Sequence, residues 1–160
     1  MLAETKKAAI PKNWAELCDP IQPFLDEVSD RLQDEVKNFD PQIATFVQYA
    51  LVSRGTQLRP ALVALAARAA GGIKPQHVDI AVIIEMVHLA TLVHDDVVDG
   101  AEVRRNRPTL ATNWGNKVSV LAGDCLFAEA LRLAATLPST EVCRLVCLLY
   151  TSDAADEGHC

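Results

Sequence analysis

Val78-Asp79-Ile80-Ala81-Val82-Ile83-Ile84-Glu85-Met86-Val87-His88-Leu89-Ala90-Thr91-Leu92-Val93-His94-Asp95-Asp96-Val97-Val98-Asp99 is the stretch on which the fold turns. It is apolar nearly all round, which marks a helix buried at the centre of a helical core. It ends in carboxylates. Asp95 and Asp99 are four apart and Asp96 and Asp99 three apart, so on a helix all three project from neighbouring positions on one side. Without cations they repel one another, and the negative end of a helix macrodipole adds to the cost. A hard divalent cation relieves both problems.

Outward from this run the chain reads as further helices. Asp19-Pro20 is an N-cap with proline at the first helical position, followed by Leu25, Val28, Leu32 and Val36 at helical spacing. Asp40-Pro41 repeats the device before Ile43, Phe46, Val47 and Ala50, and Arg54-Gly55 breaks the pattern. Pro60 opens a helix through Ala70, Gly71-Gly72 stops it, and Pro75 starts the central one. Arg104 to Trp114 reads as a loop, Lys117 to Leu137 as a helix, and Ser139 or Thr140 as the cap of another. The expected fold class is all-α, a helical bundle.

Composition sets outer bounds. Half of the 160 residues are hydrophobic and only 5% aromatic, with Ala, Leu and Val dominant, which favours helix packed on helix. A formal net charge of −6 argues against a nucleic-acid binder. No apolar run of about 18 residues is free of charge, so no transmembrane segment is expected. Cys18, Cys125, Cys143, Cys147 and Cys160 form no zinc-ligand pattern, so reduced thiols and a cytoplasmic location are expected. The N-terminus lacks the apolar region of a signal peptide.

With His88 upstream, Asp95-Asp96-x-x-Asp99 at the helix end, Arg104-Arg105 downstream and Leu58-Arg59-Pro60 earlier, the chain resembles the all-trans polyprenyl diphosphate synthases. Gly123-Asp124 with Leu126 is also similar to that family's next helix. An isolated DDxxD is weak evidence, since a solvated helix end gives the same text; the arginines and histidine make it specific. The resemblance implies a bundle of the isoprenoid synthase type, represented by its N-terminal helices. It implies a prenyltransferase that condenses isopentenyl diphosphate with an allylic diphosphate, using Mg2+ held by Asp95, Asp96 and Asp99. On the same footing Arg104 pairs with the allylic diphosphate, while Arg105, Arg59 and His88 serve isopentenyl diphosphate. A homodimer is implied for the full-length protein.

The family usually carries Gly-Gly-Lys-Arg before Leu-Arg-Pro; here Arg54-Gly55-Thr56-Gln57 replaces it, so the isopentenyl site differs. The family's second aspartate-rich motif does not occur in this sequence, and these 160 residues alone are expected to be inactive. The alternative is a noncatalytic subunit of a heteromeric synthase. Product length in the family follows the bulk just before the aspartates. Ala90 and Thr91 are small, which points to a product longer than about fifteen carbons. His94 is read as structural, Arg107 as a loop charge, and Cys125 as a small apolar residue without a neighbouring base.

From Cys147 the text changes. Cys147-Leu-Leu-Tyr-Thr-Ser-Asp-Ala-Ala-Asp-Glu157 resembles the in-frame translation of a transposase-type sequencing-library adapter. The expected division is therefore residues 1–146 as the N-terminal half of one synthase domain and 147–160 as a non-native tail. Without Asp153, Asp156 and Glu157 the charge is nearer −3.

Overall fold

The computed structural model describes residues 13–52 and 57–156. The helices are α1 (Trp14–Cys18), α2 (Gln22–Glu35), α3 (Pro41–Val52), α4 (Leu58–Ala69), α5 (Gln76–Val98), α6 (Leu110–Trp114), α7 (Asn116–Thr136) and α8 (Glu141–Asp156). A two-stranded antiparallel hairpin, β1 (Val103–Arg104) with β2 (Arg107–Pro108), sits between α5 and α6.

The apolar spacing accounts for the helices. Leu25, Val28 and Leu32 are buried along α2, and Val47 and Ala50 along α3. Asp40 caps α3, its carboxylate accepting from the Gln42 N–H at 2.9 Å. α4 begins at Leu58, two residues earlier than Pro60 suggests, after Gln57 with a left-handed φ of +51°.

α5 is the central helix. It packs along α7, with α4 and α2 on other sides, and Val82, Ile83 and Met86 are fully buried. Side chains of this size each contribute about 1.5–3 kcal/mol on burial. By length and hydropathy α5 is apolar enough to cross a membrane, a test that a long buried core helix also passes. About half of it is buried inside the bundle.

The other end of the bundle is tied by charge. Glu35, only 1% exposed, takes Arg31 at 2.8 Å and Arg132 of α7 at 3.2 Å, and accepts from Asn38 at 2.5 Å. Burial and a hydrogen bond to the Glu129 carboxylate hold its carboxyl above the ordinary range, while Arg132 holds Glu129 below it. α2 is thereby pinned to α7 across 97 residues of sequence. α8 runs through Val146, which is buried, to Asp156, while Cys147 and Leu148 are exposed.

Candidate functional site

The site begins where α5 stops. Gly100, at φ +61°, ends the helix: the Gly100 N–H donates to Val97 O at 3.3 Å and the Ala101 N–H to Asp96 O at 2.9 Å. This crossed pair of bonds is the glycine-terminated helix end. It leaves Asp95 and Asp96 in the final turn and Asp99 at the cap.

The segment beyond was expected as a loop and is instead a hairpin. Arg105 and Asn106 take φ of +51° and +60°, the left-handed pair that a two-residue turn between antiparallel strands requires. Asparagine accepts this conformation readily and arginine does not, so the alternation rule for strands gives no warning of it. Thr109 closes the base. Its hydroxyl donates to Ala101 O at 2.8 Å, its N–H donates to Glu102 O at 3.0 Å, and its oxygen caps α6 by accepting from the Thr112 N–H at 3.2 Å.

The three aspartates do not act alike. Arg104 Nε donates to Asp96 Oδ1 at 2.7 Å, and Asp96 is 7% exposed, whereas Asp95 is half-buried and Asp99 exposed. On a helix Asp95 and Asp99 lie within about 40° of each other, but Asp96 is about 100° round from Asp95. That angle turns Asp96 toward the hairpin. Asp96 is thus engaged by Arg104, and among the described residues no three His, Cys, Asp or Glu side chains gather as a metal set. The remaining pair still suits Mg2+, which takes one or two carboxylates and completes its shell with water and substrate phosphates.

Two turns before Asp95 on the same helix, His88 sits among arginines. Burial first, then the charges of Arg59, Arg105 and Arg104, pull its pKa from 6.5 to about 4. The imidazole is neutral at pH 7 and can share a proton with a phosphate oxygen. The charges of Arg59, at the start of α4, and of Arg105 and Arg104, on the hairpin, are thus all felt at the His88 ring. Thr56 lies outside the described residues, and Gln57 lies beside the start of α4.

A small cleft opens beside Asp96 and Arg104, with Ala50, Leu89, Leu92, Val93 and Leu110 as apolar walls. Leu89, Leu92, Val93 and Asp96 form one stripe of α5. Ala90 is fully buried off that stripe, and half-buried Thr91 donates its hydroxyl to His88 O at 2.8 Å.

Other residues fall into supporting places. His94 is structural: Nε2 is 3.2 Å from Val120 O and 3.4 Å from Asp124, and its ring fills the notch over Gly123. Burial, aided by the charge of Asp124, pushes the Cys125 thiol up and keeps it protonated. Arg107, read as a loop charge, instead stacks 4.6 Å over the Tyr49 ring. Tyr49 is the residue that sequence reasoning missed, and no spacing rule links it to a hairpin almost sixty positions later.

A family model described as polyprenyl synthetase matches residues 40–153. The chain belongs to the polyprenyl synthetase family. This polyprenyl synthetase chain is 42% identical over 109 residues to octaprenyl diphosphate synthase of Escherichia coli, a match covering 68% of this chain and 34% of that one. Its fold is similar to a decaprenyl diphosphate synthase from Rhodobacter capsulatus, with a TM-score of 0.82 and 33% identity over 89% of this chain and 44% of that one. It also resembles a Caulobacter crescentus polyprenyl synthase complexed with calcium and isoprenyl diphosphate, with a TM-score of 0.78, 32% identity and coverage of 94% and 45%. This polyprenyl synthetase chain therefore spans less than half the length of these relatives. The family match extends to residue 153 and so overlaps the adapter-like text.

Proposed function

We propose that the whole protein is a magnesium-dependent polyprenyl diphosphate synthase and that this chain supplies one wall of its site. The observation that carries the reading is the hairpin arginine Arg104 bound at 2.7 Å to Asp96 among the carboxylates that end α5, with the charges of Arg59, Arg104 and Arg105 all felt at His88 on the same helix. Guanidinium groups bind phosphate oxygens through paired N–H donors. Carboxylates beside such a cluster make sense when a cation joins them to a polyphosphate. The Caulobacter relative holds both a divalent cation and an isoprenyl diphosphate, which supports the pairing.

In this reading Asp95 and Asp99 hold Mg2+ together with the allylic diphosphate, and Asp96 sets the direction of Arg104. Mg2+ supplies charge neutralisation for departing pyrophosphate. Arg104 binds the allylic diphosphate. Arg105, Arg59 and neutral His88 bind isopentenyl diphosphate. The allylic carbon–oxygen bond breaks with both electrons going to pyrophosphate, the isopentenyl double bond attacks the allylic cation, and a proton is lost to restore a double bond. Apolar walls exclude water from the cation.

Small residues at Ala90 and Thr91 and the long-chain names of the relatives support a product longer than about fifteen carbons. Leu89 and Leu92 are among the walls of the described cleft, so these two enter the chain-length reading beside Ala90 and Thr91. Assembly is proposed as a homodimer. One relative, 36% identical over 110 residues, is named heptaprenyl diphosphate synthase component 2, which favours a two-subunit arrangement as the second reading. Expressing the full-length protein alone with Mg2+, an allylic diphosphate and isopentenyl diphosphate tests both. The account expects long polyprenyl diphosphate; activity appearing only with an added subunit supports the second reading, and no product in either case ends both.

A further inference from the structure

The hairpin that carries Arg104 and Arg105 has only two residues in each strand, too little ladder to hold its own position. Its base is fixed by Thr109, which donates to Ala101 O. Its far strand is fixed from α3. The Tyr49 hydroxyl donates to Pro108 O at 2.7 Å, and the Arg107 guanidinium lies 4.6 Å over the Tyr49 ring. Trp114, just past the hairpin at the end of α6, meets Tyr49 edge to face at 4.9 Å and Phe46 at 5.4 Å. One aromatic ring therefore touches β2 twice and the following helix once. Tyr49 also lines the cleft with Asp96 and Arg104.

These contacts do different jobs. The hydroxyl fixes the height of β2 through a main-chain carbonyl. The ring face holds Arg107 by a cation–π contact and keeps that guanidinium away from the carboxylates of α5. Arg104 is paired with Arg107 across the hairpin, so whatever fixes Arg107 and Pro108 fixes the strand from which Arg104 reaches Asp96. Two further consequences follow. The left-handed Arg105 stays in its costly conformation only while both strands are held. Loss of the far-strand anchor leaves Arg104 with Asp96 alone.

We infer that Tyr49 is the positioning residue for the diphosphate-binding arginines, clamping β2 by its hydroxyl and its ring so that Arg104 and Arg105 stay aimed at the end of α5. The inference rests on the reading of those arginines as diphosphate ligands, but the clamp itself does not. Its role is to preorganise guanidinium groups, not to touch the reacting atoms.

Two measurements on the full-length protein, wild type and Tyr49→Phe, decide it. The first is amide hydrogen exchange over residues 101–109, with the interior of α5 as reference. Phenylalanine keeps the ring and removes only the hydroxyl, so the hairpin amides are expected to exchange about three- to tenfold faster with α5 unchanged, the range of one hydrogen bond. The second is the affinity for inorganic pyrophosphate with Mg2+. A weakening of about three- to tenfold is expected in Tyr49→Phe, more in Tyr49→Leu, with the melting temperature of Tyr49→Phe lowered by only about 2–4 °C. Unchanged hairpin exchange in Tyr49→Phe overturns the inference whatever binds. Faster exchange with unchanged pyrophosphate affinity also overturns it, because the clamp then positions nothing. Wild-type protein that fails to bind pyrophosphate refutes the diphosphate reading and, with it, the positioning role; the exchange result then describes a structural contact only.

Discussion

Gly123→Ala puts the packing beside the candidate site to a quantitative test. Glycine inside a helix normally costs about 1 kcal/mol relative to alanine, so open space at this position would make the substitution stabilising by that amount. There is no such space. A β-carbon at Gly123 stands 2.2 Å from His94 Nε2 and 2.5 Å from Cδ2, well inside contact distance. The ring must leave its place, which gives up its bond to Val120 O, worth about 1 kcal/mol, and adds overpacking strain of about 1–3 kcal/mol. His94 has a side chain 21% exposed and can swing outward, so the lower part of the strain range applies. The helix gain offsets the lost bond, leaving a net destabilisation of about 1–2 kcal/mol. For a chain this size the melting temperature falls by about 3–6 °C, read by far-ultraviolet circular dichroism. The sign must reverse in a His94→Ala background, where the same change gains its helix propensity without a clash. A Gly123→Ala protein as stable as wild type with His94 present would refute the reasoning.

Three further outcomes follow from the geometry. His88 has its folded pKa near 4 against 6.5 unfolded, so the unfolded chain binds more protons between these values. Its contribution to stability is complete above pH 6.5 and is lost as the pH falls toward 4; nuclear magnetic resonance titration of the ring should show the low midpoint, and added pyrophosphate should raise it. Glu35→Ala removes the buried carboxylate between Arg31 and Arg132, and because both arginines are about half exposed they return to water, so urea unfolding should show a loss of about 2 kcal/mol, below that of a fully buried pair. Sequencing the coding DNA should show adapter codons from Cys147 to Glu157 and a different native continuation after Val146; unrelated codons would remove the proposed boundary.

Most of the helices were legible because their signals are local. Asp40 before Pro41, Gly71-Gly72, and the apolar run from Val78 each state a boundary within a few residues, and α3, the end of α4 and α5 follow them. His88, two turns from Asp95, was legible for the same reason, since helical spacing carries side chains along one face. The split among the aspartates was legible only in part. A four-residue spacing unites Asp95 and Asp99, but the turn of Asp96 toward Arg104 needs the hairpin, and the hairpin needs left-handed Arg105, which arginine's preferences do not advertise. Tyr49 was out of reach. Its partners Arg107, Pro108 and Trp114 come from another part of the chain and meet it only when α3 and α6 pack.

The central claim is that the last turn of α5 and the hairpin behind it make one magnesium–diphosphate site. Turnover of isopentenyl diphosphate and an allylic diphosphate by the full-length protein, with Mg2+ or with a chelator, and with wild type or Asp95→Asn/Asp99→Asn, tests it most directly. The account predicts polyprenyl diphosphate from wild type with Mg2+ and a rate at least about a hundredfold lower with the chelator or in the double variant. Full turnover in the chelator, or by the double variant, would contradict it.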